Sequence, residues 1–512
     1  MFDSVLHSIM RNVARLAIVA MALGTGFIGS PSLATVAASP LPRALINDWA
    51  YVGNTGTPPS QAACNAVGRR CFNPRSMANS YNYAVLHAAG NMGQGKTIAV
   101  IDSFGATTIR QDLGVFNTAF GLPHLCGETG PSDPSANCPS TASPRFDIIQ
   151  VQGGPPASPP PPNNGTGQEN HNLWDLEVAL DVEWAHATAP LANILLVTTP
   201  TAETLGVQGL QQMMNAEQAL IDSHQVDVIS QSFGTGEGAF HNGLASLNQL
   251  RRAFVDAQAN KVSVFASSGD GGSVNYMKEP VKNPAVIPYP SVIWPASDPL
   301  VTAVGGTYLC TNPVIGSMTA DDTMPPTACT SKPGDREPAW LFSGGGYSIY
   351  FPRPSYQNVL PPGSTYVGSS PGAPGPNSNM RGVPDVAYQA SSRTGVLVYL
   401  TESLSNNQAR TTCGGASPCS TGWYVVGGTS ASAPQWGGLT AIADQMAGHD
   451  LGFLNPALYA IANNPALYAK DFYDPFQNSN GAWSASKGWD AVTGVGTPNA
   501  AALIPDLIAA SH

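Results

Sequence analysis

Short apolar runs alternate with longer amphipathic stretches from about Gly95 onward, and this alternation limits the possible folds more than any other feature. Runs at 97–101, 147–151, 192–197, 226–230 and 262–266 read as buried strands, with helical patterns between several of them at 173–187, 202–223 and 244–260. Strands alternating with helices predict an α/β fold with a doubly wound, mostly parallel sheet. In such sheets the reactive groups gather beyond the carboxyl ends of the strands. A further apolar run at 300–304 precedes Gly305-Gly306-Thr307, and a last helix is expected from near Ser430 toward Met446.

The 512 residues suffice for one large α/β domain with appendages or for two to three ordinary domains. With 53 Gly and 45 Pro, much of the chain must lie in turns and long loops. Lys and Arg total only 22 and form no basic cluster, against a net charge of −11, so nothing here attracts nucleic acid. Charged residues make up 11%, compared with roughly 25% in an average domain. A fold with so few ion pairs has few to lose on acidification. The first 38 residues (1–38) read as an export signal. Arg11 and Arg15 precede an apolar stretch at 16–28, followed by small residues suited to cleavage near Ala34 or Ala38. No later segment reads as transmembrane, so a secreted or periplasmic, monomeric protein is expected, free of the membrane once the signal is removed.

Export suits the eight cysteines, which fall into neighbouring couples: Cys64 and Cys71, Cys126 and Cys138, Cys310 and Cys329, Cys413 and Cys419. Proximity favours four local disulfides pinning loops. A zinc site lacks the CxxC spacing it would need. The Pro-rich run at 153–167 reads as an exposed, extended spacer.

Ser430 stands in Gly427-Gly428-Thr429-Ser430-Ala431-Ser432-Ala433-Pro434, where a glycine turn opens onto a helix. Small residues let a substrate backbone approach closely, and the helix amino end favours negative charge nearby. A serine hydroxyl needs a base. His171 and His186 are the nearest histidines to the other motifs, but each is better explained as a polar position on a helix or loop. Glu177 and Asp181 lie four apart, on one face of a predicted helix. Either they form a solvated acidic face, or they share a proton and raise one pKa, giving a base that works where imidazole is already charged. Asp270, in a glycine turn after a strand, is either a turn former or, if protonated, a hydrogen-bond donor to an oxyanion.

These stretches together resemble the sedolisins, serine-carboxyl peptidases of subtilisin-like fold. The resemblance runs in order from about Cys71 to the C-terminus. It takes in the stretch Gly95 to Asp102; Glu177-Val-Ala-Leu-Asp181; Ser267-Ser-Gly-Asp270; the stretch Pro295 to Thr307; Ser343-Gly-Gly-Gly-Tyr-Ser348; Pro384-Asp-Val-Ala387; and Gly427-Gly-Thr-Ser-Ala-Ser432. It implies Ser430 as nucleophile, Glu177 as base, Asp181 as its proton-sharing partner, and Asp270 with the Ser430 N–H as oxyanion donors. Asp102 would be the acidic group behind the pair, although a similar strand in subtilisins supplies the triad aspartate. Phe233 stands where some members carry Trp. The resemblance also implies one Ca²⁺ within 471–498, held by the carboxylates of Asp474 and Asp490 and the carbonyls of Pro475, Ser486 and Gly488. Pro475 and Ser486 depart from the usual aliphatic residue and Gly, changes that a carbonyl ligand survives.

The implied organisation is a signal, a short segment at 39–71 in place of the family's long folded propeptide, and a peptidase domain at 72–512. The favoured reading is a secreted, acid-active serine-carboxyl peptidase acting on protein or peptide substrates. The alternatives are a Ser-His-Asp enzyme working near neutrality and a catalytically silent binding protein. An optimum below about pH 5 separates the first from the second.

Overall fold

The computed structural model describes residues 49–53, 55–106, 108–128, 138–139, 141–151, 171–199, 207–240, 242–278, 285–361, 374–401 and 421–511. The expected signal, the Pro-rich run at 153–167 and the Cys413–Cys419 couple lie outside these residues.

The strands that build the site are β1 (Trp49–Gly53), β2 (Arg70–Phe72), β3 (Thr97–Ser103), β4 (Phe146–Gln150), β5 (Asn193–Thr199), β6 (Val228–Gln231), β7 (Ser263–Ser267), β8 (Thr302–Thr307), β9 (Val386–Gln389), β10 (Thr394–Leu400) and β11 (Gly422–Val426). The helices used below are α1 (Ile109–Phe120), α2 (His171–Thr188), α3 (Val207–Asp222), α4 (Leu244–Leu250), α5 (Arg252–Ala259), α6 (Thr429–Ala447) and α7 (Asn455–Ala462). Seven strands form one sheet in the order β9-β8-β7-β6-β3-β5-β4. Every neighbouring pair in it is parallel, as the strand–helix alternation predicts. The winding reverses at β3, which lies between β5 and β6, and a sheet of this kind opens its crevice at such a point.

Two helices are buried rather than amphipathic. From Trp174 to Thr188 every residue of α2 is buried, and so is every residue of α6 from Thr429 to Asp444. For α6 this follows from a surface that is largely apolar or small all round, which belongs in an interior; α2 is sealed even though it carries Asp175, Glu177, Asp181, Glu183 and His186. Gly438 makes the contact between the two: a β-carbon there would lie 2.6 Å from Thr188 Cβ.

A second sheet, in the order β1-β11-β10-β2, carries the chain to Ser430. Its first three strands are antiparallel, while β2 runs parallel to β10. The Arg70 guanidinium of β2 is surrounded by four backbone carbonyls, of Thr311, Asp321, Met324 and Pro325, at 2.9, 2.7, 2.6 and 2.7 Å. Disulfides join Cys64 to Cys71, Cys126 to Cys138 and Cys310 to Cys329.

Two expectations need correction. The single helix expected at 244–260 is two, α4 and α5, which break at Arg251, whose guanidinium forks onto the buried Asp298 at 2.8 and 2.9 Å. The helix beginning near Ser430 is also not the last, since α7 and the helices Pro465–Asp471 and Ala500–Ala510 follow it. The first two of these open on Asn-Pro, a pair that reads as a turn. In the first helical turn, however, proline loses no hydrogen bond.

The Pro384-Asp385 motif serves the scaffold. Asp385 accepts both Arg381 nitrogens at 2.8 and 2.6 Å, the Ala303 N–H at 2.9 Å and the Tyr459 hydroxyl at 2.9 Å, so it ties β8 to α7. Both charged side chains are fully buried. Arg381→Met should therefore lower the unfolding free energy by about 3–5 kcal/mol, because it strands a buried carboxylate. Denaturant titration of the purified variant checks this.

Candidate active site

Ser430 reaches its position through two glycines. A β-carbon on Gly427 would lie 2.2 Å from the Ser392 nitrogen, and Gly428 adopts φ 101°, which disfavours any side chain. The Gly428 N–H is fixed to the Ala390 carbonyl at 2.5 Å. Four residues beyond Ser430, Pro434 has no N–H to give the Ser430 carbonyl. That oxygen instead accepts a long hydrogen bond, 3.5 Å, from the Ser232 hydroxyl.

Asp102 is the penultimate residue of β3, and Glu177 and Asp181 lie on α2; all three are fully buried. Burial above all, then the charges of Asp181, Asp102 and Asp270, pushes Glu177 well above the ordinary carboxylate range, while the Ser430 hydroxyl beside it pulls the other way. Burial, then the charge of Asp102, likewise raises Asp181, and the Ser232 hydroxyl beside it opposes the rise. Burial alone moves Asp102 to about 8. The helix face carrying Glu177 and Asp181 is therefore not solvated. Glu177 feels the charge of Asp181 in a low-dielectric interior, where both cannot easily be charged.

Asp270 follows β7 and is held to Thr429, the residue preceding Ser430. Its Oδ1 accepts the Thr429 backbone N–H at 2.7 Å and the Thr429 hydroxyl at 2.9 Å. The Gly269 N–H donates to Thr429 Oγ1 at 3.0 Å. Thr429 and Ser232 escape a sequence reading because each lies next to a residue that attracts notice for other reasons. Their adjacency to Ser430 and to Phe233 was the available signal. Phe233 itself is a fully buried core residue.

His186 lies on α2, as expected of a polar helix position, and is fully buried there. Its Nε2 sits 3.0 Å from the Pro123 carbonyl, and burial moves it down to about 3. The side chain of His171 lies outside the described residues.

No cluster of three or more His, Cys, Asp or Glu side chains suited to a metal occurs among the described residues. A calcium cage built mainly of carbonyls needs none, and the loop at 471–498 offers hard oxygens. Asp490 is fully buried and accepts the Ser486, Val492 and Thr493 N–H groups at 2.9, 2.8 and 2.8 Å. Asp474 Oδ2 accepts the Gly488 N–H at 2.9 Å, while its Oδ1 is buried without a hydrogen bond of ordinary geometry. Pro475 directs its carbonyl to the Thr493 hydroxyl, 3.5 Å away. Burial and the charge of Asp474 hold Asp490 at about 7. A buried carboxylate and a half-buried one that repel each other fit a hard dication.

The sequence pattern of the Subtilase family matches residues 165–457. The chain is similar to kumamolisin of Bacillus sp. (strain MN-32), with 27% identity over 88% of this chain and 66% of the relative. To sedolisin of Pseudomonas sp. (strain 101) the identity is 28% over 88% and 63%. To tripeptidyl-peptidase 1 of Homo sapiens it is 27% over 67% and 53%. The chain thus spans about two thirds or less of the length of these relatives. Among solved structures it is similar to Pseudomonas sedolisin (serine-carboxyl proteinase) complexed with two molecules of pseudo-iodotyrostatin. The TM-score is 0.58 at 23% identity, covering 85% of this chain and 98% of that one, and the likeness establishes the subtilisin-like fold.

A carboxyl whose folded pKa is raised binds a proton that the unfolded chain releases near pH 4. Its contribution to stability is complete below that point and is lost as pH rises through the folded value. For Asp102 the window runs from about pH 4 to about 8. Unfolding midpoints of Ser430→Ala, chosen to prevent self-digestion, should fall across this window. Adding Asp102→Asn should flatten the fall, and an unchanged slope would refute the assignment.

Proposed function

The chain belongs to the Subtilase family, and on that premise we propose that it is a sedolisin, a secreted serine-carboxyl peptidase that hydrolyses peptide bonds of protein or peptide substrates in acid. The observation that carries this reading is the Ser430 hydroxyl beside a buried Glu177, whose neighbour on the same helix is a second buried carboxyl, Asp181. A lone buried carboxylate would simply take up a proton and lose its basicity. A pair holding one proton between them keeps one member able to accept another.

In the proposed reaction Ser430 Oγ bonds to the scissile carbonyl carbon as its proton passes to Glu177. The carbonyl π electrons move to oxygen, where the Ser430 N–H and a protonated Asp270 donate hydrogen bonds. When the intermediate collapses, the C–N bond breaks and the proton on Glu177 goes to the leaving amine. Water then attacks the acyl-enzyme, giving a proton to Glu177, and that proton returns to Ser430 Oγ as the acid product leaves. Asp181 orients Glu177 and shares its proton, with Asp102 behind it. Both the shared proton and the acid form of Asp270 are available at low pH, where a histidine base would be charged. His186, held to the Pro123 carbonyl, does not support a Ser-His-Asp alternative.

Export is supported by the disulfides and by the charged and apolar pattern of residues 1–38. No helix among the described residues is long and apolar enough to cross a membrane. In the loop at 471–498, Asp474 and Asp490 with the carbonyls of Pro475, Ser486 and Gly488 would hold Ca²⁺, which would supply charge neutralisation to the loop and no chemistry to the reaction.

Peptide-library cleavage scanned from pH 2 to 8 should peak below about pH 5. Ser430→Ala and Glu177→Gln should each lose activity by a comparable factor, on the order of 10³ or more, because groups acting as one unit fail together. Hydrolysis persisting unchanged in Ser430→Ala would refute the mechanism. For calcium, chelation should lower the unfolding midpoint of the wild type and leave Asp490→Asn insensitive to the chelator. A wild type indifferent to chelation would exclude the site.

A further inference from the structure

The proposed reaction needs the acid hydrogen of Asp270 on the oxygen that meets the oxyanion, and a carboxyl group has two oxygens to choose from. Oδ1 already receives two donors from one residue, the Thr429 N–H at 2.7 Å and the Thr429 hydroxyl at 2.9 Å. The direction of the hydroxyl bond follows from its other partner. Thr429 Oγ1 accepts the Gly269 N–H at 3.0 Å, so its own hydrogen points elsewhere, toward Asp270. An oxygen accepting two donors is carbonyl-like, and a proton placed on it would oppose both.

The threonine cannot easily turn away. It is fully buried, and its Cγ2 packs against β8, where a β-carbon on Gly306 would lie 3.5 Å from it. A β-branched side chain held by its methyl has one way to aim its hydroxyl. Its backbone is set by Gly428, whose φ of 101° and bond to Ala390 fix the turn. Thr429 is also bonded covalently to Ser430, whose N–H is the other proposed oxyanion donor.

We propose that Thr429 is a positioning residue that holds Asp270 Oδ1 as an acceptor, so that the acid proton sits on Oδ2 and is presented to the oxygen of the tetrahedral intermediate. The assignment rests on the reading of Ser430, Glu177 and Asp270 given above. No proton is transferred by Asp270. Its O–H donates a hydrogen bond that strengthens as the carbonyl oxygen gains charge, and the hydrogen stays on Oδ2 throughout. Without the threonine hydroxyl Oδ1 keeps one donor only, so the carboxyl is free both to turn and to carry its proton on either oxygen, and the fraction of enzyme with the O–H aimed at the transition state drops while substrate binding does not.

Thr429→Val keeps the shape and the backbone donor but removes the hydroxyl; Thr429→Ser restores the hydroxyl. In Thr429→Val kcat for an acid-cleaved peptide should fall about 10- to 100-fold, less than the roughly 10²- to 10³-fold for losing an oxyanion donor outright because the donor is misaligned and not removed, with KM within about twofold. Losing a donor to the charged form raises the pKa of Asp270, so the basic limb of the kcat profile should also move to higher pH. Thr429→Ser should recover most of the rate and return the limb to its wild-type place. Unfolding midpoints identify a variant that misfolds; should Thr429→Val do so, Thr429→Ala carries the same comparison. A Thr429→Val enzyme within twofold of wild type would overturn the proposal. So would a loss of rate with an unmoved limb, or Thr429→Ser as impaired as Thr429→Val, since either would leave the threonine a merely structural part. Hydrolysis that survives Ser430→Ala would instead overturn the peptidase mechanism, and this assignment with it.

Discussion

Asp102, Glu177 and Asp181 are fully buried, and no ion pair joins any of them to a basic side chain among the described residues. Charges taken out of water in this way are costly unless neutralised, and with no cation at hand the neutraliser is the proton. Much of the surrounding structure follows from that requirement. Helix α2 has to be sealed on every side, so that Glu177 and Asp181 can sit within the interior without water, although it also buries Asp175, Glu183 and His186. Asp102 comes from a central strand that pairs with β5 along its whole length and with β6 as far as Ile101.

Elsewhere in the molecule the same problem is solved differently. Asp385 is equally buried, but Arg381, Tyr459 and a backbone N–H satisfy it, which suits a scaffold that must hold one geometry at any pH. Asp298 meets Arg251 in the same manner. Some buried carboxyls, such as Asp385 and Asp298, are thus paired with a basic side chain, whereas among the described residues Asp102, Glu177 and Asp181 are not, and neither is Glu183 farther along α2, which burial also pushes well above the carboxylate range. Strongly perturbed carboxyls gathered beside a serine at a helix amino end mark a site where stability has been given up for chemistry. The glycines and proline around Ser430 contribute to the same end. They bring the serine close to its neighbours and leave its carbonyl for Ser232 rather than for the helix.

Much of this architecture was legible along the chain. The strand–helix alternation predicted a doubly wound parallel sheet, because period-2 and period-3.6 patterns report local burial. Strand limits moved by only a few residues, as in β3, which runs on to Ser103. Less legible were features set by contacts distant in sequence. The break at Arg251 depends on Asp298, 47 residues away, and α7 hides behind an Asn-Pro pair whose meaning depends on where a helix starts. Nor could spacing tell whether the Glu177–Asp181 face was wet or dry.

By itself the sequence determined which chemical groups exist and which of them are neighbours on one element: a serine at a glycine–helix junction, two carboxyls one helical turn apart, an aspartate in a glycine turn. These are properties of local covalent geometry and backbone preference, which need no distant partner. The tertiary structure alone decided the protonation of those groups and their pairing. It sealed α2 away from water, set Asp102 behind Asp181, and turned Thr429 onto Asp270 across 159 residues of chain. Dielectric environment and hydrogen-bond geometry are properties of the packed interior, and only there does a run of acidic residues become a set of groups that hold protons.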